Sequence, residues 1–147
     1  MKTQFLTALA AGFLLAADAP RADIAQKDQE KLQGTWTVVA AEHEGQPLDR
    51  IKGNTLTISG GRFTIKTKTI ELKGTYRLDP TRKPKTMDFL HESDFLRDKT
   101  WQAIYLLEGD DLKICYAEAD SAKDRPTDFA TAEDSGLLLT VLKREKR

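Results

Sequence analysis

From Thr35 to the end of the chain, apolar residues recur at nearly every second position. Successive side chains of a strand point to opposite faces, so a period of two buries one face and wets the other. The run Thr69 to Asp79 is the clearest case. Ile70, Leu72, Tyr76 and Leu78 alternate with Glu71, Lys73, Thr75 and Arg77, and only Gly74 interrupts the apolar set. Gly74 reads as a bulge or bend, a device by which barrels curve a strand. The same alternation gives Trp36, Val38 and Ala40, then Leu56 and Ile58, Phe63 and Ile65, Met87 and Phe89, and Leu112, Ile114 and Tyr116. Trp101, Ala103, Tyr105 and Leu107 form one face of a further run, whose other face carries Ile104 and Leu106. The stretch from Leu137 to Leu142 completes the series.

Turn signals separate these runs. Ser59-Gly60-Gly61 and Glu108-Gly109-Asp110-Asp111 are tight hairpin signals. Glu44-Gly45-Gln46-Pro47 closes the first strand, and Asp79-Pro80-Thr81 opens a loop in which proline presets the turn dihedral. The stretch from Glu118 to Ser135 is the longest gap and reads as an ordered loop or a lid. About eight short strands without crossover helices predict an all-β fold. Closure into an eight-stranded antiparallel up-and-down barrel removes exposed strand edges. A two-sheet sandwich is the structural alternative.

The first part of the chain reads differently. Met1-Lys2 is followed by a mainly apolar run from Phe5 to Ala17, too short to span a bilayer and the right length for the core of a signal peptide. Ala17-Asp18-Ala19 has the form of a cleavage site, so residues 1–19 are expected to be a signal peptide, cut between positions 17 and 22. The alternative is a buried or anchoring helix. Ile24 to Leu32 is the one convincing helical stretch. Asp23 is placed to cap it, and Ile24, Lys27, Lys31 and Leu32 are placed to pack an edge on the body. The domain expected is 23–147, exported to the periplasm or beyond, with no membrane span in the mature chain.

Composition narrows the function. Lys plus Arg and Asp plus Glu both number 23, so there is no basic excess of the kind a nucleic-acid surface needs. Cys115 is the only cysteine and reads as a packed thiol, so the apolar core must stabilise the domain without an internal disulfide. His43 and His91 lack companions at metal-ligand spacing, so neither a metal nor a cofactor is expected. No nucleophile elbow or phosphate loop is present, and the Glu108, Asp110 and Asp111 cluster reads as a wet hairpin tip. No enzyme is expected.

Gly34-Thr35-Trp36, opening the first strand after a short helix, resembles the G-x-W signature of lipocalins. A wider pattern resembles a family of uncharacterised, exported, lipocalin-like bacterial proteins. It comprises Leu32-Gln33-Gly34-Thr35-Trp36, Tyr76-Arg77-Leu78-Asp79-Pro80-Thr81 with Pro84-Lys85, Asp88-Phe89, Ile104-Tyr105 and Gly109-Asp110-Asp111-Leu112-Lys113-Ile114-Cys115. Arg125-Pro126 with Phe129, and Leu142-Lys143-Arg144, complete it. The resemblance implies an eight-stranded lipocalin-like barrel and no assigned activity. It also implies that Trp36, next to Gly34, plugs one barrel end under a late cation. Parity with Leu137 and Leu139 selects Lys143, and parity with Leu138 and Leu142 selects Arg144.

An eight-stranded barrel either fills with side chains or holds one small ligand. Trp36, Tyr76, Phe89, Trp101, Tyr105 and Tyr116 are the expected pocket lining, with the tyrosine hydroxyls available to orient a ligand. The leading expectation is an extracytoplasmic barrel binding a small apolar or amphipathic ligand. The alternative is a packed structural or interaction domain of the cell envelope. It would meet an exported protein partner through its outer face or through the stretch from Glu118 to Ser135.

Overall fold

The computed structural model describes residues 23–118 and 124–146. The stretch read as a signal peptide lies outside them. Residues 23–32 are helical (α1). The strands follow as β1 (Gly34–His43), β2 (Gln46–Pro47), β3 (Thr55–Ser59), β4 (Arg62–Lys66), β5 (Glu71–Asp79), β6 (Lys85–His91), β7 (Thr100–Glu108), β8 (Asp111–Ala117) and β9 (Leu137–Arg144). β2 is a two-residue return against the end of β1. The other eight strands pair in the order β1-β3-β4-β5-β6-β7-β8-β9, all antiparallel. β9 then pairs with β1, from Trp36 opposite Arg144 to His43 opposite Leu138. That ladder closes the sheet, so the fold is an eight-stranded up-and-down barrel preceded by a short α-helix, and not a sandwich.

The register carries a single inward set around the barrel. Trp36 faces Leu56, Leu56 faces Ile65 and Tyr76 faces Phe89. Phe89 faces Trp101, Tyr105 faces Ile114 and Leu112 faces Leu142. Trp36, Ile58, Phe63, Met87, Tyr105 and Leu112 are each about fully buried, and each such large apolar side chain stabilises the fold by roughly 1.5–3 kcal/mol.

Four local expectations need correction. The β1 alternation breaks at Val38, because the register against β9 skips a residue between Val38 and Ala40. That bulge turns Ala41 inward and leaves Ala40 exposed. Gly74 is no bulge: it pairs in register with both Phe63 and His91. Its reason is space, since a Cβ there would stand 2.0 Å from the Leu90 carbonyl oxygen and 2.8 Å from the Phe63 ring. Ile70 lies before β5 and is exposed, because Thr67 takes its backbone amide and carbonyl into a turn. In α1 the buried edge is Asp28 and Leu32, one turn apart, and not Ile24, Lys27 or Lys31, which are exposed.

The stretch after β8 is described in the structure only from residue 124 onward. Its described part straps the outer wall: Arg125 donates to the Ala103 carbonyl on β7 at 2.8 Å and pairs with Asp88 on β6 at 2.7 Å. Further on, Thr131 donates to Glu42 at 2.6 Å and accepts the Gly45 amide. The strap lies against Ile104 and Cys115, two outward apolar residues of β7 and β8, and both are buried, whereas the outward Leu106 is exposed.

Candidate functional site

The two barrel ends differ in kind. At the end where β1 begins, α1 lies across the opening. Trp36 is wholly buried there, and its indole Nε1 donates to the Leu32 carbonyl at 2.9 Å. The Arg144 guanidinium lies over the indole at 4.2 Å from the ring centre. It donates to the carbonyls of Gln33, at 2.6 Å, and Lys31, and its Nε donates to Asp110 at 3.1 Å. A cation over an indole contributes about 0.5–2 kcal/mol, and here it also caps the helix-end carbonyls. Gly34 beside it adopts a φ of +121°, with Arg144 3.2 Å from where a Cβ would stand. Lys143 points outward and pairs with Asp111. Inward parity on β9 therefore belongs to Leu138, Thr140, Leu142 and Arg144.

Four more polar contacts fasten this end. Asp28, only 6% exposed, accepts the Tyr105 hydroxyl at 2.6 Å and the Lys85 ammonium at 2.9 Å. Burial, reinforced by that carboxylate, pushes the Tyr105 hydroxyl well above its usual range. Tyr76 donates its hydroxyl to the Gly60 carbonyl at 2.7 Å, and Gln33 holds the Gly60 amide at 2.7 Å. The hydroxyls of Tyr76 and Tyr105 are thus committed to closing the barrel. With Trp36 they serve the sealed end, although Tyr76 pairs in register with Phe89, one of the other three residues expected to line a pocket.

Phe89, Trp101 and Tyr116 come together towards the opposite end, where the β4–β5, β6–β7 and β8–β9 connections and the β1–β3 connection form a mouth. They wall a cavity of about 70 Å³, completed by Val38, Leu56, Ile65 and Ile114 among apolar residues and by Asn54, Thr55 and Thr140 among polar ones. Among the described residues no charged side chain lines it. The Trp101 and Tyr116 rings stack at 4.9 Å, 12° from parallel. Burial, with Glu118 nearby, raises the Tyr116 hydroxyl above its usual range. The share of one water in the liquid is about 30 Å³, so the cavity has room for roughly two waters or the tip of a larger molecule.

His91 ends β6 immediately beside this cluster. Its ring centre is 4.2 Å from that of Trp101 and 5.2 Å from that of Phe63, edge-on in both cases. The residue is 3% exposed, and neither ring nitrogen has a hydrogen-bond partner among the described residues. Burial lowers its pKa to about 4, so the imidazole is neutral near pH 7. The alternation Met87, Phe89, His91 places it inward, and that parity was the available signal. His91 is the last residue of β6, and its ring is caged between Phe63 and Trp101.

Cys115 faces the strap and not the barrel interior. Burial holds its thiol up at about 11, and the Ala130 carbonyl lies 3.9 Å from the sulfur. Among the described residues no three histidine, cysteine or acidic side chains gather as metal ligands would.

No family model and no curated protein matches the chain. Among solved structures, the chain is similar to a DUF4847 family protein from Bacteroides vulgatus, at 15% identity and a TM-score of 0.48. That match covers 80% of this chain and 96% of the other.

Proposed function

We propose that this chain is an exported, lipocalin-like barrel that takes a small apolar or amphipathic ligand through its mouth. The observation that carries the reading is the asymmetry of the two ends. One is locked by α1, Trp36 and Arg144, whereas the other holds an apolar cavity walled by stacked aromatic rings. A concave, apolar site with a few uncharged polar groups is the usual form of a small-molecule site. The apolar run from Phe5 to Ala17 supports export, and among the described residues no helix is long and apolar enough to cross a membrane.

Tryptophan fluorescence tests the reading directly, because Trp101 borders the cavity and Trp36 is sealed at the far end. With Trp36→Phe as the background, a panel of fatty acids, alcohols and aromatic compounds is expected to include members that shift Trp101 emission saturably. A panel with no saturable member would remove the proposal. Export is checked separately by N-terminal sequencing of the mature chain from a cell-envelope fraction.

One observation favours a second reading. The interior is almost filled, and 70 Å³ is small beside the roughly 150 Å³ of an engineered cavity that admits benzene. A packed barrel would act through its surface, meeting another exported protein. Recovery of a constant partner by pull-down from the envelope, with the titration silent, would select it.

A further inference from the structure

We propose that His91 is the polar anchor of the mouth site, and that the ligand it selects is an uncharged molecule carrying a hydroxyl or carboxamide group. This rests on the ligand-binding reading above and names its ligand class. A neutral imidazole presents one N–H donor and one bare nitrogen acceptor. Burying such a group without partners costs about 1–3 kcal/mol, so a structure that keeps one has a use for it or fills it. Here both nitrogens are without described partners, on a ring that is 3% exposed and edge-on to Trp101, itself a wall of the cavity.

The cavity alone is too small to seat more than a ligand's tip. His91 does not line the cavity: the Trp101 indole, only half-buried, stands between them, and that ring must turn aside when a ligand enters. The seat so opened would have apolar walls from Ile65 and Phe89, a flat aromatic wall from Tyr116, and in His91 a ring whose two nitrogens both lack described partners. A carboxylate or ammonium group entering it would meet no charged side chain among the described cavity walls and would lose its hydration uncompensated. A hydroxyl or carboxamide can either donate to the bare nitrogen or accept from the N–H, and so answers whichever of the two faces it.

The probes are benzyl alcohol, toluene and benzoate, added at neutral pH to protein labelled with ¹⁵N at histidine. Benzyl alcohol is expected to move the His91 ring nitrogen signals saturably and leave those of His43 in place. Toluene binds without that shift, and benzoate does not bind. In His91→Leu, benzyl alcohol affinity is expected to fall about 10-fold, the worth of one hydrogen bond, while toluene affinity stays within about 2-fold. His91→Gln, which keeps a donor and an acceptor, is expected to recover part of the loss. The wild-type nitrogen shifts stand on their own should the leucine variant fail to fold. Benzyl alcohol and toluene both binding with the His91 signals unmoved would overturn the anchor and leave a binding barrel. Benzoate binding as well as benzyl alcohol would overturn the ligand class. If none of the three binds, the anchor and the binding reading fall together.

Discussion

Gly74→Ala is the severest small change this barrel offers. The new Cβ would lie 2.0 Å from the Leu90 oxygen and 2.9 Å from its carbonyl carbon, both backbone atoms of the neighbouring strand β6. It would also lie 2.8 Å from Cε1 of Phe63. The ring has some freedom to tilt, but the carbonyl moves only if β5 and β6 part. Overpacking costs about 1–3 kcal/mol, and loss of one or two ladder hydrogen bonds adds about 0.5–1.5 kcal/mol each, so a loss near 3–4 kcal/mol is expected. For a domain of this size, one kcal/mol moves Tm by about 4 °C, which puts the midpoint some 12 °C or more lower. Urea unfolding followed by far-UV circular dichroism measures the free energy, and a thermal scan measures the midpoint. Gly61→Ala is the control: nothing lies within 4 Å of its would-be Cβ, and it is expected to change stability by less than about 0.5 kcal/mol. Adding Phe63→Leu to Gly74→Ala relieves only the ring contact, so little stability should return. A Tm for Gly74→Ala within about 2 °C of wild type would refute the packing argument.

Three further perturbations probe the ends and the strap. Arg144→Ala removes the cation over Trp36 and the donors to Gln33 and Lys31, and is expected to cost about 2–4 kcal/mol by urea unfolding, whereas Lys143→Ala changes stability by less than about 0.5 kcal/mol. Equal effects would reverse the assignment. His91 has a folded pKa near 4 against its ordinary 6.5, so between those values the unfolded chain binds the extra proton. Its contribution to stability is therefore highest above pH 6.5 and falls as pH drops towards 4, by up to about 1.4 kcal/mol per pH unit. The difference in unfolding free energy between wild type and His91→Phe, measured from neutral pH downwards, should follow that slope; a difference independent of pH contradicts it. Arg125→Ala loosens the strap at β6 and β7, and a thiol reagent should then reach Cys115 about 10-fold faster than in wild type under native conditions. An unchanged labelling rate would show that the strap holds without Arg125.

The alternation made the barrel legible, because each strand has one face with nowhere to go but inwards. It is a statement about parity, and it fails where parity shifts without a residue to announce it. Val38, Val39 and Ala40 are all small and apolar, so nothing in their identity marks the bulge that trades Ala40 for Ala41. Leu137 to Leu142 is apolar on both faces, so the choice between Lys143 and Arg144 waited on which face met Leu112. The strap was hidden for a related reason. Ile104 on β7 announces a second buried face, but only the fold shows that the cover comes from Arg125, Pro126 and Ala130.

The site was half legible, and the missing half is polar. Period-two burial selects aromatic residues correctly for the interior but does not say at which end each hydroxyl finds a partner. Trp36, Tyr76 and Tyr105 point into the same barrel as Trp101 and Tyr116, yet Leu32, Gly60 and Asp28 claim their polar atoms for the seal. Asp28 sits in a charged helix whose sequence offers several equivalent acids; only its placement above Tyr105 and Lys85 makes it the buried one. Hydrogen-bond accounting then divides the interior. At the sealed end the named indole and hydroxyl donors are satisfied within the chain. At the mouth His91 retains two nitrogens that the described residues do not answer. Any ligand of this barrel has its polar contacts to make there, because the sealed end has already spent its own.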